Sequence, residues 1–126
     1  MSLEVTIDGC LLRCILRNAK AAHPRETLLL LRGKVERREI KVTDIIIPPL
    51  ATYGKEFSAF PLHMLPVDFS IVGTVHSHPS GLLQPSAVDL NHAFGKIFMI
   101  VAYPYKGDQN VAIYNHSGER IVLEIE

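Results

Sequence analysis

The sequence predicts a single α+β domain over residues 1–126, a mixed, mainly antiparallel β-sheet flanked by two main helices. Three observations carry that expectation. The chain has 126 residues, the size of one domain and enough to bury about two thirds of its unfolded surface. Short apolar runs of strand length alternate with Gly, Pro, Asp and Ser over most of the chain. Two stretches read differently: one with a 3.6-residue apolar period before Pro24, and one opening on Ser86-Ala87-Val88-Asp89, the form of a helix capping box.

Each element follows from local signals. Leu3 to Ile7 reads as a short strand. Asp8 offers a carboxylate to cap the helix after it. In that helix Leu12, Ile15, Leu16, Ala19 and Ala22 fall on one stripe, and Arg13, Arg17 and Lys20 supply the wet face. Pro24 ends it, and His23 is pushed out of helical geometry by the proline that follows. Thr27 to Arg32, continuously apolar through four leucines and closed by Gly33, suits a strand covered on both faces. Glu36 to Pro48 reads as a strand or pair of strands, residues 49–56 as loop, and Phe57 to Leu65 as a returning strand. Ile71 to His76 reads as a central strand and Ser86 to Phe94 as the second helix. Ile97 to Ala102, Val111 to Tyr114 and Ile121 to Ile125 read as three further strands, with Gly107-Asp108 and Ser117-Gly118 where turns are needed.

Composition narrows the function. Hydrophobic residues make up 48% and charged residues 21%, which excludes a disordered chain. Thirteen basic residues balance thirteen acidic ones, so no broad positive field is available to hold nucleic acid. No apolar run approaches the ~18 residues of a membrane span, and the N-terminus lacks the pattern of a signal peptide; the cytoplasm is the expected location. Cys10 and Cys14, four residues apart, are too few for a disulfide scaffold and are not spaced as a typical zinc pair. They read as small apolar residues on a buried helix face, the sharper alternative being a redox or intermolecular disulfide. The apolar first helix with its cysteines also leaves room for a homodimer.

The informative stretch is His76-Ser77-His78-Pro79, followed by Ser86 and Asp89. Two histidines at i and i+2 on a strand point to the same side of the sheet and can converge on one ion. Asp89 follows His78 by eleven residues, through a loop containing Pro79, Gly81 and Pro85 that can bring the carboxylate back. Two imidazoles and one carboxylate leave a fourth position of tetrahedral zinc open for water, the mark of a catalytic site. Such a donor set favours zinc over calcium or magnesium. Ser86 either caps the second helix or donates a hydrogen bond to a developing oxyanion, and one hydroxyl is not expected to do both. The proton acceptor must come from elsewhere in the chain. Glu26, Glu36, Glu39, Asp44, Glu56 and Asp68 are the acidic choices, and Glu26 has the best setting because it opens the apolar strand at the mouth of the sheet. By itself an H-x-H pair is a weak signal, since ordinary strands carry such pairs.

His76-Ser77-His78-Pro79, then seven residues to Ser86 and two more to Asp89, resembles the signature of the JAMM (MPN+) metalloprotease family. Glu26, in Pro24-Arg25-Glu26-Thr27-Leu28, matches that family's upstream glutamate, and the resemblance covers essentially the whole chain. It implies an MPN/JAMM-like, cytidine-deaminase-like fold. It implies one Zn2+ per chain held by His76, His78 and Asp89, with Glu26 as general acid/base and Ser86 assisting the oxyanion. It implies cleavage of the bond after the C-terminal Gly-Gly of ubiquitin-like proteins or their conjugates. Residues 49–61 and Leu90 to Lys96 are short where larger members carry insertions, so a compact prokaryotic or archaeal type fits better. Processing of a sulfur-carrier ubiquitin-like protein, a non-catalytic MPN scaffold and a zinc hydrolase of small amides are the competing readings. His23 reads as an exposed helix-end residue. His63, His92 and His116 have no partner at ligand spacing. Phe57, Phe60, Leu62, Met64 and Leu65 read mostly as core, and Thr74, Ser80 and Gly81 as shaping a narrow substrate channel.

Overall fold

The structure, a computed structural model, describes residues 3–47, 70–87, 89 and 95–126. In chain order the elements are β1 (Glu4–Ile7), α1 (Gly9–Ala22), β2 (Leu28–Glu36), β3 (Glu39–Ile46), β4 (Ile71–His78), β5 (Ile97–Ala102), β6 (Val111–Asn115) and β7 (Arg120–Ile125). The loop and strand expected between residues 49 and 65, with His63, lie outside the described residues. So does most of the second helix expected over 86–94, including His92; Ala87 and Asp89 are helical. One complete helix, α1, is therefore described where two main helices were expected.

The strands form one sheet in the order β1-β3-β2-β4-β5-β6-β7, and it closes because β1 pairs with both β3 and β7. Pairing is mixed: β1 with β3, β1 with β7 and β4 with β5 are parallel, and the remaining four pairs antiparallel. Helix α1 starts on Asp8, whose Oδ2 accepts from the Cys10 and Leu11 amides at 2.9 and 3.2 Å. That satisfies two of the donors a helix start leaves open. Leu12, Ile15, Leu16 and Ala19 are its buried stripe. They join Val5, Leu29, Leu31, Ile40, Met99 and Ile113 in one core on the α1 face of the sheet. Phe98, Ile100, Ala112 and Tyr114 form a second cluster, with Leu28 and Leu30 in a third. Strand β2 is thus buried on both faces along Leu28–Leu31, as four successive leucines require.

Two expectations are corrected. Gly33 does not close β2; the strand continues to Glu36 with a register shift between Arg32 and Gly33. A Cβ at Gly33 would overlap the carbonyl oxygen of Lys41 on β3, so this glycine allows a close crossing of backbones rather than a chain stop. Cys10 and Cys14 are not on the buried helix face: both are exposed and free. At about 100° per residue Cys14 lies about 200° around the helix from Leu12, on the side away from the core. Arg13 Nη2 donates to Cys10 Sγ at 3.1 Å. Among the described residues no helix is long and apolar enough to cross a membrane.

Two outcomes follow from this packing. Both thiols should react with a chromogenic disulfide reagent in the native protein, at the same stoichiometry as after unfolding; fewer than two accessible thiols would contradict the placement of α1. Gly73→Ala should destabilise the fold by about 4 kcal/mol or more, measured by chemical denaturation. The reason is that any Cβ there overlaps the Ile97 carbonyl at the β4–β5 seam.

Candidate metal centre

Strand β4 lies between β2 and β5, and its register decides which way its side chains point. In the parallel pair with β5, Val75 is level with Met99 and Ser77 with Val101, both in the core under α1. His76 is level with Ile100, in the cluster on the other face. The two-residue alternation of a strand therefore sends His76 and His78 to one side and Ser77 to the other. His76 is 5% exposed, while His78 is half-buried at the strand's end.

A turn after His78 fixes the second histidine. The Gly81 and Tyr103 amides both donate to the His78 carbonyl at 3.1 Å, and Gly81 takes φ 88°, which only glycine adopts at little cost. The chain then brings the Leu82 carbonyl to 2.9 Å from His78 Nδ1. A carbonyl only accepts, so Nδ1 carries the hydrogen, and in the neutral ring Nε2 keeps its lone pair. Leu82 had no signal in the sequence that would have singled it out.

Asp89 arrives from the other side. Its amide donates to Ser86 Oγ at 3.1 Å, and the Ser86 amide donates back to Asp89 Oδ2 at 2.8 Å. This is the reciprocal capping box, with an aspartate in the third position. The same carboxylate faces both histidines: Oδ2 is 3.1 Å from His78 Nε2, and Oδ1 is 3.7 Å from His76 Nδ1. The two proposed roles of Ser86 turn out to be compatible. The cap uses a lone pair of the hydroxyl, which leaves its proton to be donated elsewhere.

Glu26 approaches from β2. The Ser77 amide donates to the Thr27 carbonyl at 3.1 Å, and the Thr27 amide donates to Ser77 Oγ at 2.7 Å. These bonds carry the β2–β4 pairing one residue beyond Leu28–His76, and Glu26 stands in a β-bridge just outside them. The charges it feels most are those of His78 and Asp89. The other acidic choices described, Glu36, Glu39 and Asp44, are exposed on β2 and β3 away from this end; Glu56 and Asp68 lie outside the described residues.

The electrostatics are those of a shielded cluster of opposite charges. Burial raises the Glu26 carboxyl above its ordinary 4.5, only partly offset by His78. Burial works against the charged form of Asp89 too, but hydrogen bonds from His78 and the Ser86 amide, with the charges of both histidines, win and hold it to about 2. Burial opposes a charge on His78, yet the Asp89 and Leu82 bonds raise its pKa from 6.5.

Among the described residues no three His, Cys, Asp or Glu side chains stand assembled as a ready ligand cage; Asp89 instead meets each histidine separately. The donor chemistry nevertheless fits a borderline divalent cation. It offers two imidazoles, one with its tautomer fixed, and a carboxylate held ionised with an oxygen turned to each ring. His23 is exposed as expected, stacked on Tyr103 at 4.6 Å, and His116 is exposed on a turn.

Comparison with known proteins bears on this arrangement. Residues 10–115 match the family of prokaryotic homologues of the JAB domain. A probable metalloprotease of Haloferax volcanii is 37% identical over 111 residues, 82% of this chain and 68% of that protein. A JAB1/MPN domain protein of Archaeoglobus fulgidus superposes with a TM-score of 0.69 at 34% identity, covering 99% of this chain and 98% of that one. A structure described as JAMM, a metalloprotease-like zinc site in the proteasome and signalosome, superposes at 0.68 with 32% identity, covering 100% and 99%. A Desulfitobacterium hafniense protein, 19% identical with a TM-score of 0.68 over 97% and 92% of the two chains, shares the fold.

The pH response of the metal-free protein follows from the shifted groups. Asp89 is depressed from 3.8 to about 2, so its contribution to stability is present above 3.8 and is lost as pH falls through the folded value. His78 is raised from 6.5, so its contribution is present below 6.5 and is lost as pH rises through the folded value. With chelator present, the wild-type advantage over Asp89→Asn should peak between those limits and shrink on both sides. Denaturation midpoints against pH measure it, and a flat difference would break the link.

Proposed function

The chain belongs to the family of prokaryotic homologues of the JAB domain, and on that premise we propose that it is a zinc-dependent metalloprotease. In this reading it hydrolyses the peptide or isopeptide bond after the C-terminal Gly-Gly of a ubiquitin-like protein. The observation that carries the reading is one buried carboxylate, Asp89, turned to both His76 and His78, with the Glu26 carboxyl within their field on the neighbouring strand. His76, His78 and Asp89 hold the zinc, one per chain. When bound, zinc supplies Lewis acidity, polarising the scissile carbonyl and making water a nucleophile at neutral pH.

The protein's own groups perform the rest. Glu26 takes a proton from the attacking water and delivers it to the departing amine nitrogen, work that contributes about 10²–10⁴-fold to rate. Its raised pKa makes it a stronger base toward the attacking water than an ordinary carboxylate. Ser86 donates its hydroxyl proton to the oxygen that gains charge, while its lone pair keeps the Asp89 amide. The Ser86 cap and the Leu82 carbonyl keep Asp89 and His78 in place before substrate arrives, so little reorganisation is needed during the reaction.

Support for a peptide bond as substrate comes from the family and from the metalloprotease relative. The Gly-Gly preference and the ubiquitin-like partner are the finer part of the proposal. The test is a ubiquitin-like protein joined through Gly-Gly to a lysine, followed by mass spectrometry. Scission after Gly-Gly should disappear with chelator and return with zinc, and uncut conjugates at one bound zinc per chain would defeat the reading.

Glu26→Gln should lower kcat about 10²–10⁴-fold with zinc content unchanged, whereas Asp89→Ala should lose both. Because Glu26 must be ionised to accept the proton, kcat/KM should carry an acid limb that Glu26→Gln abolishes, and an acid limb unchanged in that variant would remove Glu26 from the role.

A further inference from the structure

The side chain between the two histidines faces away from them, and it is not idle. Ser77 is fully buried, and its Oγ accepts the Thr27 amide at 2.7 Å. That bond uses one lone pair and leaves the hydroxyl proton to be placed in an apolar interior, where an unsatisfied polar group is costly. Tyr105 is a buried side chain whose hydroxyl senses that of Ser77. The Tyr105 ring is 4% exposed, set edge-on to Tyr103 at 6.0 Å and to His23 at 5.9 Å. Its backbone lies at φ 60°, the left-handed region that a bulky residue enters only when its surroundings hold it there. Among the described residues its buried hydroxyl has no partner at direct hydrogen-bond geometry. The polar groups it feels are the Ser77 side chain and the Glu26 carboxylate.

A phenylalanine would fill this space without the cost of burying a hydroxyl, and the strained backbone gives the chain no local reason to keep a tyrosine. The placement gains a reason if the two hydroxyls act together. Ser77 accepts from Thr27, and the buried Tyr105 hydroxyl stands in the field of both the Ser77 side chain and the Glu26 carboxylate. We propose that Ser77 and Tyr105 are positioning residues for Glu26: a hydroxyl pair on the far face of the sheet that clamps the Thr27 amide, and with it the β-bridge that sets the Glu26 carboxylate against His78. Neither touches the substrate or the metal ligands' donor atoms; they act through the backbone of β2. The role assigned to Glu26 rests on the function proposed above, whereas the clamp itself does not.

The experiment uses Tyr105→Phe and Ser77→Ala in the full chain, with amide hydrogen exchange read by NMR and kinetics on the Gly-Gly conjugate. Each variant should speed exchange of the Thr27 amide about tenfold relative to the amides of β5. Each should lower kcat about tenfold, the lower end of what loss of a supporting contact costs. KM should stay within about twofold and zinc content close to wild type, while the thermal midpoint should fall in Ser77→Ala, which leaves the buried Thr27 amide without its side-chain acceptor. Unchanged Thr27 exchange in both variants overturns the clamp, whatever the activity. Faster exchange with wild-type kcat overturns the positioning of Glu26. A wild-type chain that cuts no conjugate defeats the proposed function alone, and Thr27 exchange still decides the clamp.

Discussion

The register of β4 between β2 and β5 is the constraint on which the site depends. Shifting a strand by one residue turns every side chain to the opposite face. Here a slip would bury two imidazoles under α1 and expose Ser77. Two features hold the register from opposite ends. At one end Gly73 lets β4 pass so close to Ile97 that no side chain fits between them. At the other the Thr27–Ser77 bonds tie β2 to the strand just before the histidines diverge from it. The central position of β4, hydrogen-bonded on both edges and covered on both faces, gives the site a rigid floor.

Around that floor the cluster is assembled from groups that could not remain charged alone. A buried carboxylate is costly unless hydrogen bonds and opposite charges surround it. Asp89 has both: the Ser86 amide on one oxygen, and a histidine facing each. The arrangement keeps a carboxylate ionised in a shielded place, and it keeps Nε2 of His78 available by occupying Nδ1 with a carbonyl. Glu26 moves in the opposite direction, raised chiefly by burial, with His78 opposing and Asp89 adding to the rise. Two carboxyls within one small site are thereby separated in acidity, which is how one group is suited to holding a cation and the other to moving a proton.

The contacts at this site join residues both near and far in the chain, several of them through backbone groups. Thr27 and Ser77 are fifty residues apart, and the Leu82 and Ser86 contacts depend on a turn that folds back over the end of β4. The Ser86 hydroxyl illustrates what that geometry adds. Its spacing to Asp89 leaves the capping and oxyanion roles both open, though one hydroxyl does not easily serve both at once. In the folded chain the cap takes only a lone pair of the oxygen and does not use the proton.

The sequence alone determined the α+β class, the strands from β4 to β7 to within two residues, the Asp8 cap and the apolar stripe of α1. It also marked His76, His78, Ser86, Asp89 and Glu26 as the residues worth watching. These are local or periodic properties, written in spacing and side-chain type. Tertiary structure alone decided that the sheet closes through β1, that Gly33 sits inside a strand rather than at its end, and that Cys10 and Cys14 face outward. It alone brought the Leu82 carbonyl to His78 and set Ser77 against the Thr27 amide. These depend on which backbone passes close to which, and hydrogen bonds between residues far apart in the chain leave no periodic trace in the order of the amino acids.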